Sequence, residues 1–185
     1  GLRGDEGREA RLVGRGQLSE AGNHLRRTLQ IQPDHVAAHV NLGAVLRMRG
    51  QLVEARTELR RALELDPNNA AAHTNLGGTF AAERRFGEAV SEYRLALRTN
   101  PDLLEPITDL AWILATSSDR SVRAPGEAVK LAGHAVALAG GRDVRARIRF
   151  ECDRADTRLA RAAPLARFLR TLRQVTHHSQ APSLA

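Results

Sequence analysis

Pro33, Pro67 and Pro101 lie 34 residues apart, and the residues around them recur in the same order. A fixed period of this kind marks a chain built from stacked copies of one small unit, each burying its apolar face only against its neighbours. In one copy Leu42-Gly43, Leu46, Ala55, Leu59 and Ala62 precede Pro67. In the next, Leu76-Gly77, Phe80, Ala89, Tyr93 and Ala96 precede Pro101 at the same offsets. An earlier copy keeps Leu12, Ala21, Leu25 and Pro33 but has Arg8-Glu9 where Leu-Gly belongs. A later copy opens on Leu110-Ala111 and Leu114 and runs on to Ala128, Ala132 and Ala135. Its spacing from Leu114 to Ala128 is fourteen residues, against nine from Leu46 to Ala55, so it carries five extra residues between its helices.

Within each copy the apolar residues fall three and four apart, as in Ala38, Leu42, Val45 and Leu46, then Leu52, Ala55, Leu59, Ala62 and Leu63. That spacing predicts two amphipathic helices per unit. Gly50-Gln51 separates the first from the second, and Asp66-Pro67-Asn68-Asn69 ends the pair with turn-forming residues. The predicted first helices span about 4–15, 36–49, 70–83 and 104–117, and the predicted second helices about 18–31, 52–65, 86–99 and 125–139. Gly43 and Gly77 stand inside helices, where glycine costs about 1 kcal/mol relative to alanine. They fit where two helices approach too closely for a side chain, and Ala55 and Ala89 play the same part on the second helix.

The pattern Leu-Gly-x-x-Leu/aromatic, Ala-x-x-x-Leu/aromatic, Pro, recurring in phase, resembles the tetratricopeptide repeat family. The resemblance covers roughly residues 2–140, two units strongly and two with departures. It implies an all-α, right-handed superhelical solenoid of about four helix-turn-helix repeats (about 2–35, 36–69, 70–103 and 104–140). The family's tryptophan column is replaced by His39, His73 and Ile107. Trp112-Ile113-Leu114-Ala115-Thr116, followed by a polar stretch and Pro125-Gly126, resembles the extended hairpin that closes many bacterial arrays of these repeats.

Charge is unevenly placed. The chain has 28 basic and 21 acidic residues among 185, and all but one of the basic residues are arginine. Residues 1–140 hold 18 basic and 17 acidic residues, whereas residues 141–185 hold 10 arginines and 4 acids. In that last segment Val144, Ile148, Cys152, Ala155, Leu159 and Ala162 share one helical face. The expectation is a capping helix whose arginines face water, covering the last open core face of the solenoid; nucleic-acid or anionic-surface binding through this basic tail is the alternative. No run of eighteen apolar residues and no secretory leader pattern is present, which favours a cytoplasmic setting. A single cysteine excludes an internal disulfide framework.

The resemblance implies that the first helices line a concave groove that binds a peptide or helix of a partner protein. Opposite the buried stripe of those helices the sequence puts Val40, Asn41, Ala44, Arg47 and Met48 in one unit. Thr74, Asn75 and Gly78 follow in the next, and Thr108, Asp109 and Trp112 in the fourth. Asn41, Asn75 and Asp109 form a column with one residue per repeat, and an amide offers a peptide backbone both a donor and an acceptor. His35 and His39 are four apart, yet no third ligand lies nearby, so no metal is expected. No phosphate loop, nucleophile elbow or carboxylate pair points to an enzyme or a cofactor. The function read from the sequence is a protein–protein interaction scaffold. The second reading is a docking region of a larger enzyme, such as an O-linked glycosyltransferase-like protein.

Overall fold

The computed structural model describes residues 2–138, with side chains from Gly16 onward. It contains seven helices: α1 Leu2–Ile31, α2 Val36–Met48, α3 Leu52–Leu65, α4 Ala70–Ala82, α5 Phe86–Thr99, α6 Leu104–Thr116 and α7 Pro125–Leu138. No strand occurs among the described residues, and the fold is an all-α repeat. The chain divides into two compact units between Arg85 and Phe86. The arginine-rich capping helix and frayed tail expected over residues 141–185 lie outside the described residues.

In the first unit α1 packs on α2, α2 on α3, α3 on α4, and α2 also on α4. Leu42, Leu46 and Ala55 form one core cluster, closed from α1 by Leu25 and Leu29. Val40, Ala62 and Ala72 form another, flanked by Val36 and Leu63. The α2–α3 crossing is closest at Gly43. A Cβ there would stand 2.5 Å from Leu59 Cγ and 3.3 Å from the Ala55 carbonyl oxygen. Leu59 and Ala55 are fully buried, so the missing side chain is what lets the two helices touch. Gly77 is buried at the same offset in α4.

The turns after α2 and α4 share one geometry. After α2, Gly50 adopts φ 76°; its N–H donates to the Arg47 carbonyl at 2.9 Å, and that of Gln51 to the Leu46 carbonyl at 2.9 Å. After α4, Arg84 adopts φ 61°, with Arg84 N–H on Ala81 O at 3.0 Å and Arg85 N–H on Phe80 O at 2.9 Å. These paired bonds are a Schellman closure, which requires a left-handed residue and favours glycine there. Position 16 is the same column one repeat earlier, and it behaves differently. Gly16 lies within α1, so the first repeat is one continuous helix of 30 residues instead of the expected pair at about 4–15 and 18–31. The physical reason lies in what that copy lacks. Arg8-Glu9 stands where the close-approach glycine belongs, and Gly16, at about 1 kcal/mol and with no proline beside it, costs the helix too little to break it there.

α2 and α4 are also pinned at their starts. The Ala38 N–H donates to His35 Nδ1 at 3.2 Å, and the Ala72 N–H to Asn69 Oδ1 at 3.0 Å, satisfying otherwise orphaned donors. In the second unit α5 packs on α6 and α6 on α7. The five extra residues make a loop over 117–124, closed by the Ala124 N–H on the Leu114 carbonyl at 3.0 Å. Asp119 accepts from the Ser121 hydroxyl at 2.7 Å and its N–H at 2.8 Å. Those bonds hold its carboxyl below the ordinary aspartate range, so acid that protonates it weakens this loop.

Two stability outcomes follow from this geometry. Gly43→Leu lowers the denaturant midpoint by about 1–3 kcal/mol of stability, and Leu59→Ala in the same chain recovers part of the loss. Arg84→Gly raises stability by about 1 kcal/mol while Gly50→Ala lowers it by about the same, because only glycine enters the left-handed region freely; urea unfolding of the two variants reads the opposite signs.

Candidate functional site

The face of the first unit that carries the sequence-picked residues is built from α2 and α4. Asn41 and Met48 on α2 are exposed, and Ala44 and Arg47 are half-buried. Asn75 on α4 is half-buried; its Nδ2 donates to the Ala71 carbonyl at 3.0 Å, and its Oδ1 accepts from Arg47 Nη2 at 3.4 Å. Arg47 reaches across from α2 because Gly78 leaves room for it: a Cβ on Gly78 would stand 3.0 Å from Nη1 and 3.2 Å from Cζ. The structure thus brings Arg47, Asn75 and Gly78 into one contact, with Asn41, Ala44 and Met48 on the same helix as Arg47.

Two of the residues chosen in the first unit are placed elsewhere. Val40 is buried against Ala62 and Ala72 and belongs to the core. Thr74 is buried too, its hydroxyl donating to the Ala70 carbonyl of its own helix at 2.8 Å. The reason is that α2 is contacted by α1, α3 and α4, so its apolar arc is wider than the single stripe inferred from spacing.

In the second unit Thr108 is buried, and its hydroxyl donates to the Leu104 and Glu105 carbonyls of α6. The Asp109 carboxylate accepts from the Tyr93 hydroxyl at 3.0 Å, tying α6 to α5. Trp112 is half-buried on α6. Arg94 donates to Glu127 at 2.8 Å, and His134 Nε2 lies 3.1 Å from Asp102 Oδ1.

In two of its three positions, His39 and His73, the column that replaces the family's tryptophan is a polar pin, which spacing had not revealed; Ile107 fills the third by apolar burial. His39 is buried, with Nε2 2.7 Å from the Pro33 carbonyl oxygen and Nδ1 2.7 Å from Glu58 Oε2. A carbonyl only accepts, so Nε2 carries the proton in that bond. His73 repeats the arrangement, Nε2 lying 3.0 Å from the Pro67 carbonyl. The periodic prolines therefore do more than end a helix: their carbonyls anchor the next one. Another unforeseen pin joins α3 to the end of α4, where Arg56 Nη1 donates to both Glu83 oxygens at 2.6 and 2.8 Å. Arg61 bridges Asp34 at 2.6 Å and Glu64 at 3.0 Å, and these partners hold its guanidinium above its ordinary range. No cluster of three metal-ligating side chains occurs among the described residues, and none of the helices searched there is long and apolar enough to cross a membrane.

His39→Ala leaves the Pro33 carbonyl and Glu58 without this partner. The expected loss is about 1–3 kcal/mol of stability, read by thermal or urea unfolding, with His39→Gln recovering part of it.

Comparison with known proteins agrees with this architecture. Two tetratricopeptide repeat family models match the chain, one over residues 12–78 and the other over residues 54–103. No curated protein sequence matches significantly. Among solved structures, a mutant O-GlcNAc transferase from Thermobaculum terrenum superposes with a TM-score of 0.60 at 29% identity. The match covers 66% of this chain and only 23% of that one. A crystal structure of MamA matches at 15% identity with a TM-score of 0.62, covering 90% of this chain and 93% of MamA. Residues 41 to the end of MamA from Desulfovibrio magneticus RS-1 match at 20% identity and a TM-score of 0.58, covering 71% and 72%. Repeats of this type form protein-interaction scaffolds. The helical hairpins, the glycine crossing at Gly43 and the two family matches together identify residues 12–103 as tetratricopeptide repeats.

Proposed function

We propose that the chain is a scaffold that holds an extended segment of a partner protein along the α2–α4 face of its first unit. The observation that supports this most is the pairing of Asn41 and Asn75, one repeat apart, on helices that pack directly against each other. Packed helix axes lie about 8–10 Å apart, which about three residues of extended chain span at 3.3–3.4 Å each. One asparagine per repeat therefore meets a peptide backbone at every third residue. Asn75 is held in place by Ala71 and Arg47, so little side-chain freedom remains to be lost on binding. Ala44 and the exposed Ala37 and Ala71 keep the face low enough for a backbone to approach. Met48, 65% exposed, gives an adaptable apolar contact at one end. In the second unit, Asp109 and Trp112 hold the corresponding register on α6, and we assign them contact with partner there.

A second reading has its own support. The likeness to an O-GlcNAc transferase at 29% identity, spanning 23% of that protein, fits a substrate-docking region of a larger enzyme. Both readings use the same face and differ in what lies beyond it. Binding through the basic tail is a third, distinguished by salt: affinity carried by six net charges falls steeply with ionic strength, whereas backbone recognition by asparagine does not.

The test uses peptides recovered by cross-linking to the full chain and measured by calorimetry. Asn41→Ala/Asn75→Ala is expected to keep its helicity and thermal midpoint and to weaken a bound peptide about tenfold, or about 1.4 kcal/mol. Unchanged affinity moves the binding face elsewhere.

A further inference from the structure

Because the repeats are in register, their polar pins can be compared position by position. Arg56 on α3 grips Glu83, the residue that caps the C-terminus of α4. One repeat earlier the same two positions are Gly22 on α1 and Arg49, the C-terminal cap of α2. The carboxylate has become a guanidinium, and the arginine that would have answered it has become glycine. Gly22 is buried. A Cβ on it would lie 3.5 Å from Arg26 Nη1, 3.7 Å from Arg49 Nη1 and 3.6 Å from Val45 Cγ1. Two guanidinium groups, one from α1 and one from α2, therefore converge on a single point with an apolar wall behind it.

No carboxylate lies within ion-pair distance of either group among the described residues. Arg26 donates only to the Asn23 side-chain oxygen, at a long 3.4 Å. Glu20 on α1 pairs with His24, 3.8 Å away. Both arginines are exposed residues.

We propose that Arg26 and Arg49 form an anion-binding notch that takes a carboxylate from an acidic segment of a protein partner. The chain itself supplies the template: in the next repeat this junction is closed by a glutamate side chain whose two oxygens share one arginine nitrogen. Guanidinium forks match the planar two-oxygen geometry of a carboxylate, and two nitrogens this close to one point can each take one oxygen of the same group. The notch uses neither Asn41 nor Asn75, so it stands or falls separately from the α2–α4 face.

The test titrates the full chain with a fluorescein-labelled hexaglutamate peptide at low salt. Arg49→Glu closes the notch with an internal ion pair to Arg26, and Arg60→Glu makes the same change in net charge at an exposed arginine one repeat beyond Arg26. Arg49→Glu is expected to weaken binding at least tenfold and Arg60→Glu less than threefold; Arg49→Gln, which adds no charge of opposite sign, is expected to weaken it at least fivefold if Arg49→Glu fails to fold. In the unaltered chain the Val45 methyl resonances are expected to shift on titration. Equal losses for the glutamate variants, or a silent Val45, overturn the notch. Inorganic phosphate shifting Val45 at lower concentration than the peptide overturns the assignment to a carboxylate.

Discussion

The structure depends on how closely a first helix can approach the second helix of its own hairpin. At Gly43 the backbone of α2 rests on the side chain of Leu59, with no room for even a methyl group between them. That contact sets the pairing of the two helices, and the core clusters on either side inherit their geometry from it. Leu42 and Leu46 reach Ala55 and the leucines of α1, while Val40 reaches Ala62 and Ala72. Because each cluster involves residues from adjacent helices only, stability is distributed along the array as a sum of neighbour terms. A repeat that loses its glycine can lose its crossing without undoing the others, which is how α1 runs as one helix beside an intact α2–α3 pair.

Polar contacts then fix what apolar packing leaves loose. The crossing allows a helix to rotate or slide slightly, and the histidine pins oppose this. His39 ties α2 both to the turn before it and to α3, and His73 ties α4 to the turn at Pro67. Buried polar groups are costly unless satisfied, and here each of these rings meets an acceptor the repeat always provides. A tryptophan fills the same column by bulk; histidine fills it by specific bonds.

The candidate sites follow from this rigidity. Asn75 can present a defined amide because Ala71 and Arg47 hold it, and Arg47 can reach it because Gly78 has no side chain. A recognition surface made of small residues and braced amides suits a ligand that offers mainly its backbone. The Arg26–Arg49 notch is the complementary case: where the next repeat pairs Arg56 with Glu83, this junction sets two guanidinium groups together, and no carboxylate among the described residues meets them.

Much of this was legible in the residues. The 34-residue period located six of the seven helices among the described residues to within a residue of their observed ends, and the mid-helix position of Gly43 announced a close crossing. Local signals suffice for these features because helix ends and hairpin spacing are set by neighbours in the chain. The continuous α1 was not legible, since Gly16 resembles Gly50 in sequence and differs only in whether a crossing partner forces the turn. Nor was the burial of Val40 and Thr74, because a period identifies the centre of an apolar stripe but not how many helices press on its edges. The pins from His39 to Glu58 and from Arg56 to Glu83 join residues 19 and 27 positions apart. What the sequence alone determined is the repeating hairpin, through short-range periodicity. Which side chains face each other across adjacent helices was decided only by tertiary packing, because rotation and tilt at each crossing depend on all the helices that meet there.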